Sequence, residues 1–166
     1  DLILNAKKPI IYAGGGVINS GKKAAHYLKN FIDSIEIPVT LTLMGLGAIP
    51  ANNKNFLGML GMHGTYEANM AMHNCDVMLC VGARFDDRIT GNLKYFSPNS
   101  KKIHIDIDPS SINKNVKVDI PLIGDCGTVL KIMSDELKLR KNKNNKKRLE
   151  KWWALIEKWK RKNCLS

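Results

Sequence analysis

Two arginines and two aspartates fall within five residues, at Arg84, Asp86, Asp87 and Arg88, inside the stretch Gly82-Ala83-Arg84-Phe85-Asp86-Asp87-Arg88-Ile89-Thr90-Gly91. A guanidinium presents a planar fork of donors to a carboxylate or phosphate, and a neighbouring carboxylate can hold it in place. The apolar run Val77-Met78-Leu79-Cys80-Val81 stands directly before the stretch and reads as a buried strand. The charges therefore lie just past a strand's carboxyl end, the edge of an open α/β sheet at which ligands bind.

Three further segments share that placement, and a fourth leads into a helix. Gly14-Gly15-Gly16 follows an apolar run and precedes a helical pattern. Glycines there let backbone approach a pyrophosphate at a helix N-terminus, or they make a plain tight turn. The fingerprint GxGxxG is incomplete, because Asn19 holds the third glycine's place. Leu60-Gly61-Met62-His63-Gly64-Thr65 leads into a helix, either as a close-approach loop or as a turn with an N-cap and an exposed histidine. Ile105-Asp106-Ile107-Asp108 ends a strand, where an acid can bond a ribose hydroxyl; Asp108 before Pro109 better suits a cap. Gly124-Asp125 closes the next strand in the same way. One such loop is weak evidence, but several on one sheet edge suggest an extended, phosphate-bearing ligand. No nucleophile–base set is evident, GxSxG is absent, and no Gly-Asp-Gly run of the kind that holds Mg²⁺ and thiamine diphosphate is present. His63, His73 and His104 form no metal motif, so no metal site is expected.

These segments need a scaffold, and apolar periodicity supplies one. Strands are expected at Pro9–Ala13, Pro38–Leu43, 77–81, Lys102–Ile107 and Val118–Ile123. Helices are expected from about Ser20 to Ser34, with Ala24, Leu28, Phe31, Ile32 and Ile35 inward, and over Tyr66–His73 behind the cap Thr65. Thr128 is expected to cap a last core helix with Val129, Leu130, Met133 and Leu137 on one face. Continuous apolar strands alternating with helices specify an α/β fold, a doubly wound parallel sheet covered on both faces. From Leu149 onward, Trp152, Trp153, Ile156 and Trp159 recur at helical spacing, and this second helix is expected to find its partner surface in a C-terminal part outside the chain.

The 166 residues suffice for one domain with a real core. The net charge of +11 is local: residues 138–162 hold twelve Lys or Arg against two Glu, leaving the body near neutral. The run from Lys141 to Arg148 reads as a solvated linker rather than a nucleic-acid surface. No apolar run nears the roughly 20 residues of a membrane helix. Cys75, Cys80, Cys126 and Cys164 share no CxxC spacing, and a reducing compartment is the simplest expectation. The chain opens without methionine and closes inside a helical pattern, so it is expected to be a piece of a longer protein.

From about Lys8 to Leu165 the chain resembles the central domain of the catalytic subunit of acetohydroxyacid synthase (acetolactate synthase), a thiamine diphosphate enzyme. The resemblance rests on Thr42-Leu43-Met44-Gly45-Leu46-Gly47, Leu60 to Thr65, Gly82 to Gly91, His104 to Asp108, and the tail Trp152-Trp153, Ile156-Glu157, Trp159 and Cys164-Leu165. It implies a Rossmann-like FAD-binding domain over 1–138, a basic linker over 139–148, and over 149–166 the start of a helix leading into a thiamine diphosphate-binding domain. It also implies a transferase of branched-chain amino-acid biosynthesis that decarboxylates pyruvate and joins the two-carbon unit to pyruvate or 2-oxobutanoate. Thiamine diphosphate and Mg²⁺ carry that chemistry in other domains, and FAD is structural.

Carried over, Gly14, Gly15 and Gly16 would pass close to the FAD. Thr42, Leu43 and Met44 would line its ribityl and flavin region, with Leu60, Gly61, Met62 and His63 nearby. Gly82, Ala83, Arg84, Asp86 and Arg88 would hold the ribityl–diphosphate side. Asp106 and Ile107 would meet the adenosine end, with Gly124, Asp125 and Cys126 closing over it. Arg88, Asp87 and Met62 would face the substrate channel, Arg88 anchoring a 2-oxo acid carboxylate. No catalytic residue is expected within this chain, and the isolated piece is expected to be inactive. Homodimers or tetramers, a small regulatory subunit, and a cytoplasmic location (plastid or another organelle in a eukaryote) are implied as well; nucleic acid and membrane are not. Competing readings are a sister enzyme of the glyoxylate carboligase or pyruvate oxidase type, a stand-alone nucleotide-binding module, an NAD-dependent deacylase, whose usual four-cysteine zinc module is absent, and, weakest, a nucleic-acid-binding protein.

Overall fold

A computed structural model describes residues 1–140 and 146–162. Six parallel strands form one sheet: β1 (Pro9–Ala13), β2 (Val39–Leu41), β3 (Phe56–Met59), β4 (Val77–Val81), β5 (Lys101–Asp106) and β6 (Ile120–Ile123), in the order β3-β2-β1-β4-β5-β6. The helices are α1 (Leu2–Asn5), α2 (Gly15–Asn19), α3 (Lys22–Ile35), α4 (Tyr66–Asn74), α5 (Asp87–Thr90), α6 (Cys126–Leu139) and α7 (Lys146–Lys160). The expected doubly wound α/β architecture is the one observed. Strands β1 and β4 are buried at every position, as unbroken apolar runs demand when both sheet faces are covered. The core on one face collects Leu28, Phe31 and Ile32 of α3 with Leu130 of α6. The other collects Ala68, Ala71 and Met72 of α4 with Trp152, Ile156 and Trp159 of α7.

Several boundaries differ from expectation, each for a local reason. The helix expected from about Ser20 to Ser34 is α3, and a further short helix, α2, forms before it over Gly15–Asn19, where a glycine loop or turn was expected; Gly21, at φ 87°, separates the two. Strand β2 stops at Leu41, because the Thr42 hydroxyl accepts a hydrogen bond from the Gly45 amide (3.0 Å) and turns Leu43–Gly45 into a 3₁₀ helix. Strand β3 was not foreseen; it is short, lies at the sheet edge, and carries Gly58 at φ 88°. Helix α6 starts at Cys126, capped by Asp125, whose carboxylate accepts from the Thr128 amide (2.8 Å); Thr128 is not the cap. Thr65 caps α4 as expected.

The tryptophan helix is the largest correction. Its partner lies in this same chain, helix α4 and the start of β1. Trp152 is 2% exposed and donates its indole N–H to the Pro9 carbonyl (3.0 Å), while Trp153 donates to the Glu36 carbonyl (2.9 Å). Arg148 bonds the Ala6 carbonyl, and Lys162 stands 4.3 Å above the Tyr66 ring. Amphipathic periodicity names a face to be buried but not the surface that buries it. Cys164 lies outside the described residues.

Candidate functional site

The sheet order reverses between β1 and β4: from β1 the chain winds outward through β2 and β3, then returns to place β4 on β1's other side. Loops leaving such neighbours in opposite senses open a crevice at the carboxyl edge. Here it is a cavity of about 660 Å³, within the roughly 300–1,000 Å³ of small-molecule sites.

Its centre is set by backbone meeting backbone. The Gly16 amide donates to the Gly82 carbonyl (2.9 Å), and the Gly14 amide to the Val81 carbonyl (2.9 Å). A Cβ on Gly16 would stand 2.6 Å from the Gly82 Cα, and one on Gly82 would stand 2.7 Å from the Gly16 Cα. The glycines thus let the loops after β1 and β4 touch each other, a packing role beside the two expected for them, a phosphate approach or a plain tight turn. Gly15 and Gly16 still line the cavity, whereas Gly14 packs beneath Gly82 and Ala83.

One wall is apolar: Leu43 and Met44, on the 3₁₀ turn after β2, stand largely exposed at the rim with Ile18. The opposite wall is charged. Arg84 reaches Asp86 at 3.1 Å, and Arg88 lies 3.9 Å from Asp87; all four side chains are well exposed. Exposed pairs of this kind hold their charges loosely, leaving both guanidinium groups free to turn onto an anion. Gly82, Ala83, Arg84, Asp86 and Arg88 all line the cavity. Asp87 does not.

The far end is built by β5 and β6. Asp106 accepts from the Asp108 amide (2.9 Å), and Asp108 caps the turn Pro109–Ser111, its bonds from Ser110 holding its carboxyl below the usual range. Asp125 caps α6 and accepts from the Ser20 hydroxyl (2.6 Å), which with the Thr128 amide holds its carboxyl low. Beside it, burial pushes the Cys126 thiol up to about 11, so it stays protonated and unreactive. Asp106, Ile107, Asp125 and Cys126 line the cavity; Gly124 does not. Asp125→Ala should cost about 1 kcal/mol, the usual value of an N-cap. Because the folded carboxyl is depressed, that contribution is present above the unfolded value and fades as pH falls through the folded one; urea unfolding of wild type and variant across acidic pH checks both.

Leu60, Gly61, Met62 and His63 do not line the cavity. Asn69 clamps their turn, exchanging two hydrogen bonds of 3.0 Å with the Gly61 amide and carbonyl. A Cβ on Gly61 would meet Ile89 and the Arg88 carbonyl at 3.0 and 3.1 Å, so the turn abuts the arginine helix from outside, with Met62 exposed. Tyr12, Ser20, Ile89 and Ser111 join the walls unannounced. Only Tyr12 had a readable signal, as a polar residue in an otherwise apolar strand. Its buried hydroxyl has no partner among the described residues. No group of three or more His, Cys, Asp or Glu among the described residues could hold a metal ion, and no helix there is long and apolar enough to cross a membrane.

A doubly wound α/β domain with a glycine-walled, arginine-flanked crevice at its switch point is the class these features define. Residues 1–133 match the model for the thiamine pyrophosphate enzyme central domain, and the chain belongs to that family. Across 160 residues it is 52% identical to the acetolactate synthase large subunit of Buchnera aphidicola subsp. Schizaphis graminum, covering 96% of this chain and 27% of that protein. The acetolactate synthase isozyme 3 large subunit of Escherichia coli (strain K12) is 48% identical over 163 residues, 98% of this chain and 28% of its own length. A probable acetolactate synthase large subunit from Methanocaldococcus jannaschii is 51% identical over 130 residues, 78% of this chain and 22% of that one. The chain thus spans about a quarter of the length of these relatives.

Proposed function

We propose that the chain is the central domain of an acetolactate synthase large subunit and that its switch-point cavity holds FAD. The observation that carries the cofactor reading is the order of chemistry along one crevice: an apolar rim at Leu43 and Met44, two loosely held guanidinium groups at Arg84 and Arg88, then the Asp106 carboxylate. An isoalloxazine, a diphosphate and a ribose place apolar, anionic and hydroxyl groups in that sequence. In this reading FAD supplies structure rather than electrons, and Gly15, Gly16, Gly82 and Ala83 give it close backbone approach.

The parent enzyme, on this reading, decarboxylates pyruvate and transfers the two-carbon unit to pyruvate or 2-oxobutanoate. Thiamine diphosphate and Mg²⁺ would be held by other parts of the longer protein. Residues 1–138 serve as the cofactor unit, 139–148 as the basic connection, and 149–166 as the passage toward the next domain. Assembly as dimers or tetramers with a small regulatory subunit, and a cytoplasmic or organellar site, follow the same likeness.

Arg88, exposed on α5 beside Asp87, serves as carboxylate anchor for the acceptor, with Met62 across the turn. Arg88→Ala should lower kcat/KM for the 2-oxo acid acceptor on the order of 10–100-fold, the worth of a charged hydrogen bond. Steady-state kinetics with pyruvate and 2-oxobutanoate check it, and unchanged values with both would remove the anchor role. The whole reading is tested by the visible spectrum of the full-length parent enzyme purified without added cofactor, followed by its acetolactate production from pyruvate with thiamine diphosphate and Mg²⁺. Flavin bands with product are expected. Flavin without product would move the function to a sister thiamine enzyme, and neither would leave the fold alone.

A further inference from the structure

Three polar side chains stand in one row across the sheet. Tyr12 pairs in register with Cys80, and Cys80 with His104, on β1, β4 and β5. All three residues are fully buried, one or two residues before their strands end. Above the row runs the start of the arginine loop. The Ala83 carbonyl receives the Cys80 thiol (2.9 Å) and the His104 Nε2 (2.9 Å). A carbonyl only accepts, so the imidazole carries its proton on Nε2, and Nδ1 is left bare, with no partner among the described residues. Burial pushes the His104 pKa down and the Cys80 thiol up, so both remain neutral donors. The Phe85 ring seats over the same row, 5.1 Å from the His104 ring and edge-on, and 6.1 Å from Tyr12.

The segment therefore alternates. Ala83 gives its carbonyl and Phe85 its ring to the interior, and the intervening Arg84, with Asp86 beyond, lines the cavity. Rotating Ala83 by one peptide unit would forfeit two buried hydrogen bonds at once. The His104 Nε2 also lies 3.6 Å from an Asp106 carboxylate oxygen, which sets the row beside the cavity's far end.

We infer that His104 and Cys80 are positioning residues: without lining the cavity, they hold the Ala83 carbonyl so that Arg84 and Asp86 face it. The effect on ligand affinity rests on the FAD reading above; the effect on loop order does not. The test uses the purified protein with two readouts, hydrogen exchange of peptides covering residues 82–91 without ligand, and flavin affinity by fluorescence titration. His104→Phe keeps a ring and removes the donor, whereas His104→Gln returns an N–H at similar reach. His104→Phe should speed exchange in the loop about tenfold and weaken FAD by a similar factor, the scale of one buried hydrogen bond. Peptides from β1 and β4 should exchange as in wild type, and His104→Gln should restore most of both effects.

Cys80→Ala, which empties little space, should show the same pattern more weakly and decides the matter if His104→Phe fails to fold. Unchanged loop exchange in both donor-removing variants overturns the inference. So does acceleration spread evenly over the whole sheet, or failure of glutamine to rescue. If wild type binds no FAD, the cofactor reading falls, while loop exchange still judges the positioning role.

Discussion

Replacing Gly82 by alanine is expected to cost the fold roughly 2–5 kcal/mol, the sum of a left-handed backbone penalty and an overpacked contact. Gly82 sits at φ 55°, and its new Cβ would stand 2.7 Å from the Gly16 Cα and 2.8 Å from the Cys126 Sγ. Backbone on one side leaves no flexible group to yield. Domains hold only about 5–15 kcal/mol in total, so valine at the same position should prevent folding altogether. Gly91 is the internal control: its φ is 54°, and a Cβ there meets nothing within 4 Å. Gly91→Ala, at ψ −127° outside the left-handed helical region, should pay a conformational penalty alone, about 1–3 kcal/mol. Urea midpoints of the two alanine variants, compared at constant slope, isolate the steric part. Equal midpoints would mean that the β1 and β4 loops can part without loss.

Trp152→Ala is expected to destabilise by about 3–5 kcal/mol, the usual cost of emptying a buried tryptophan. The indole fills the space between α7 and β1, meets Trp159 edge-on with ring centres 5.7 Å apart, and satisfies the Pro9 carbonyl. At about 2–4 °C per kcal/mol for a chain of this size, the melting point should fall by roughly 6–20 °C. Trp152→Phe should recover part of this, since it keeps ring volume and loses the N–H. Calorimetry of the three proteins checks the order. A melt unchanged in Trp152→Ala would return α7 to the role first expected of it, a helix awaiting another domain.

The legible and illegible parts of this fold divide by range. Strands β1 and β4 announce themselves as apolar runs, β5 by Ile103 and Ile105 in a short stretch that closes on an acid, and α3 by its five inward residues, because each signal lies within one element. Strand β3 does not, since Phe56–Met59 is four residues long and interrupted by a glycine. Helix α2 hides within a glycine-rich segment whose intrinsic preference is against helix, and it forms because Gly16 must touch Gly82. Of the candidate site residues, most of those on loops after β1, β2, β4, β5 and β6 meet in one cavity, because strand order decides it, while Gly14, Asp87 and Gly124 stand off its walls. The 60–63 turn falls outside, since β3 is an edge strand and its loop reaches only the back of α5. The row of Tyr12, Cys80 and His104 was invisible, as residues far apart in sequence become neighbours only through register.

Helix α7 closes its face by bonding Pro9, a residue 143 positions earlier in the chain. Translation advances at about 5–20 residues per second, so on the order of 10–30 s separates the emergence of the two ends of that contact. During this interval the sheet face that Trp152, Ile156 and Trp159 will cover remains open on the ribosome. A nascent chain stalled before residue 146 should therefore recruit holdase chaperones, and one stalled after α7 has cleared the exit tunnel should release them.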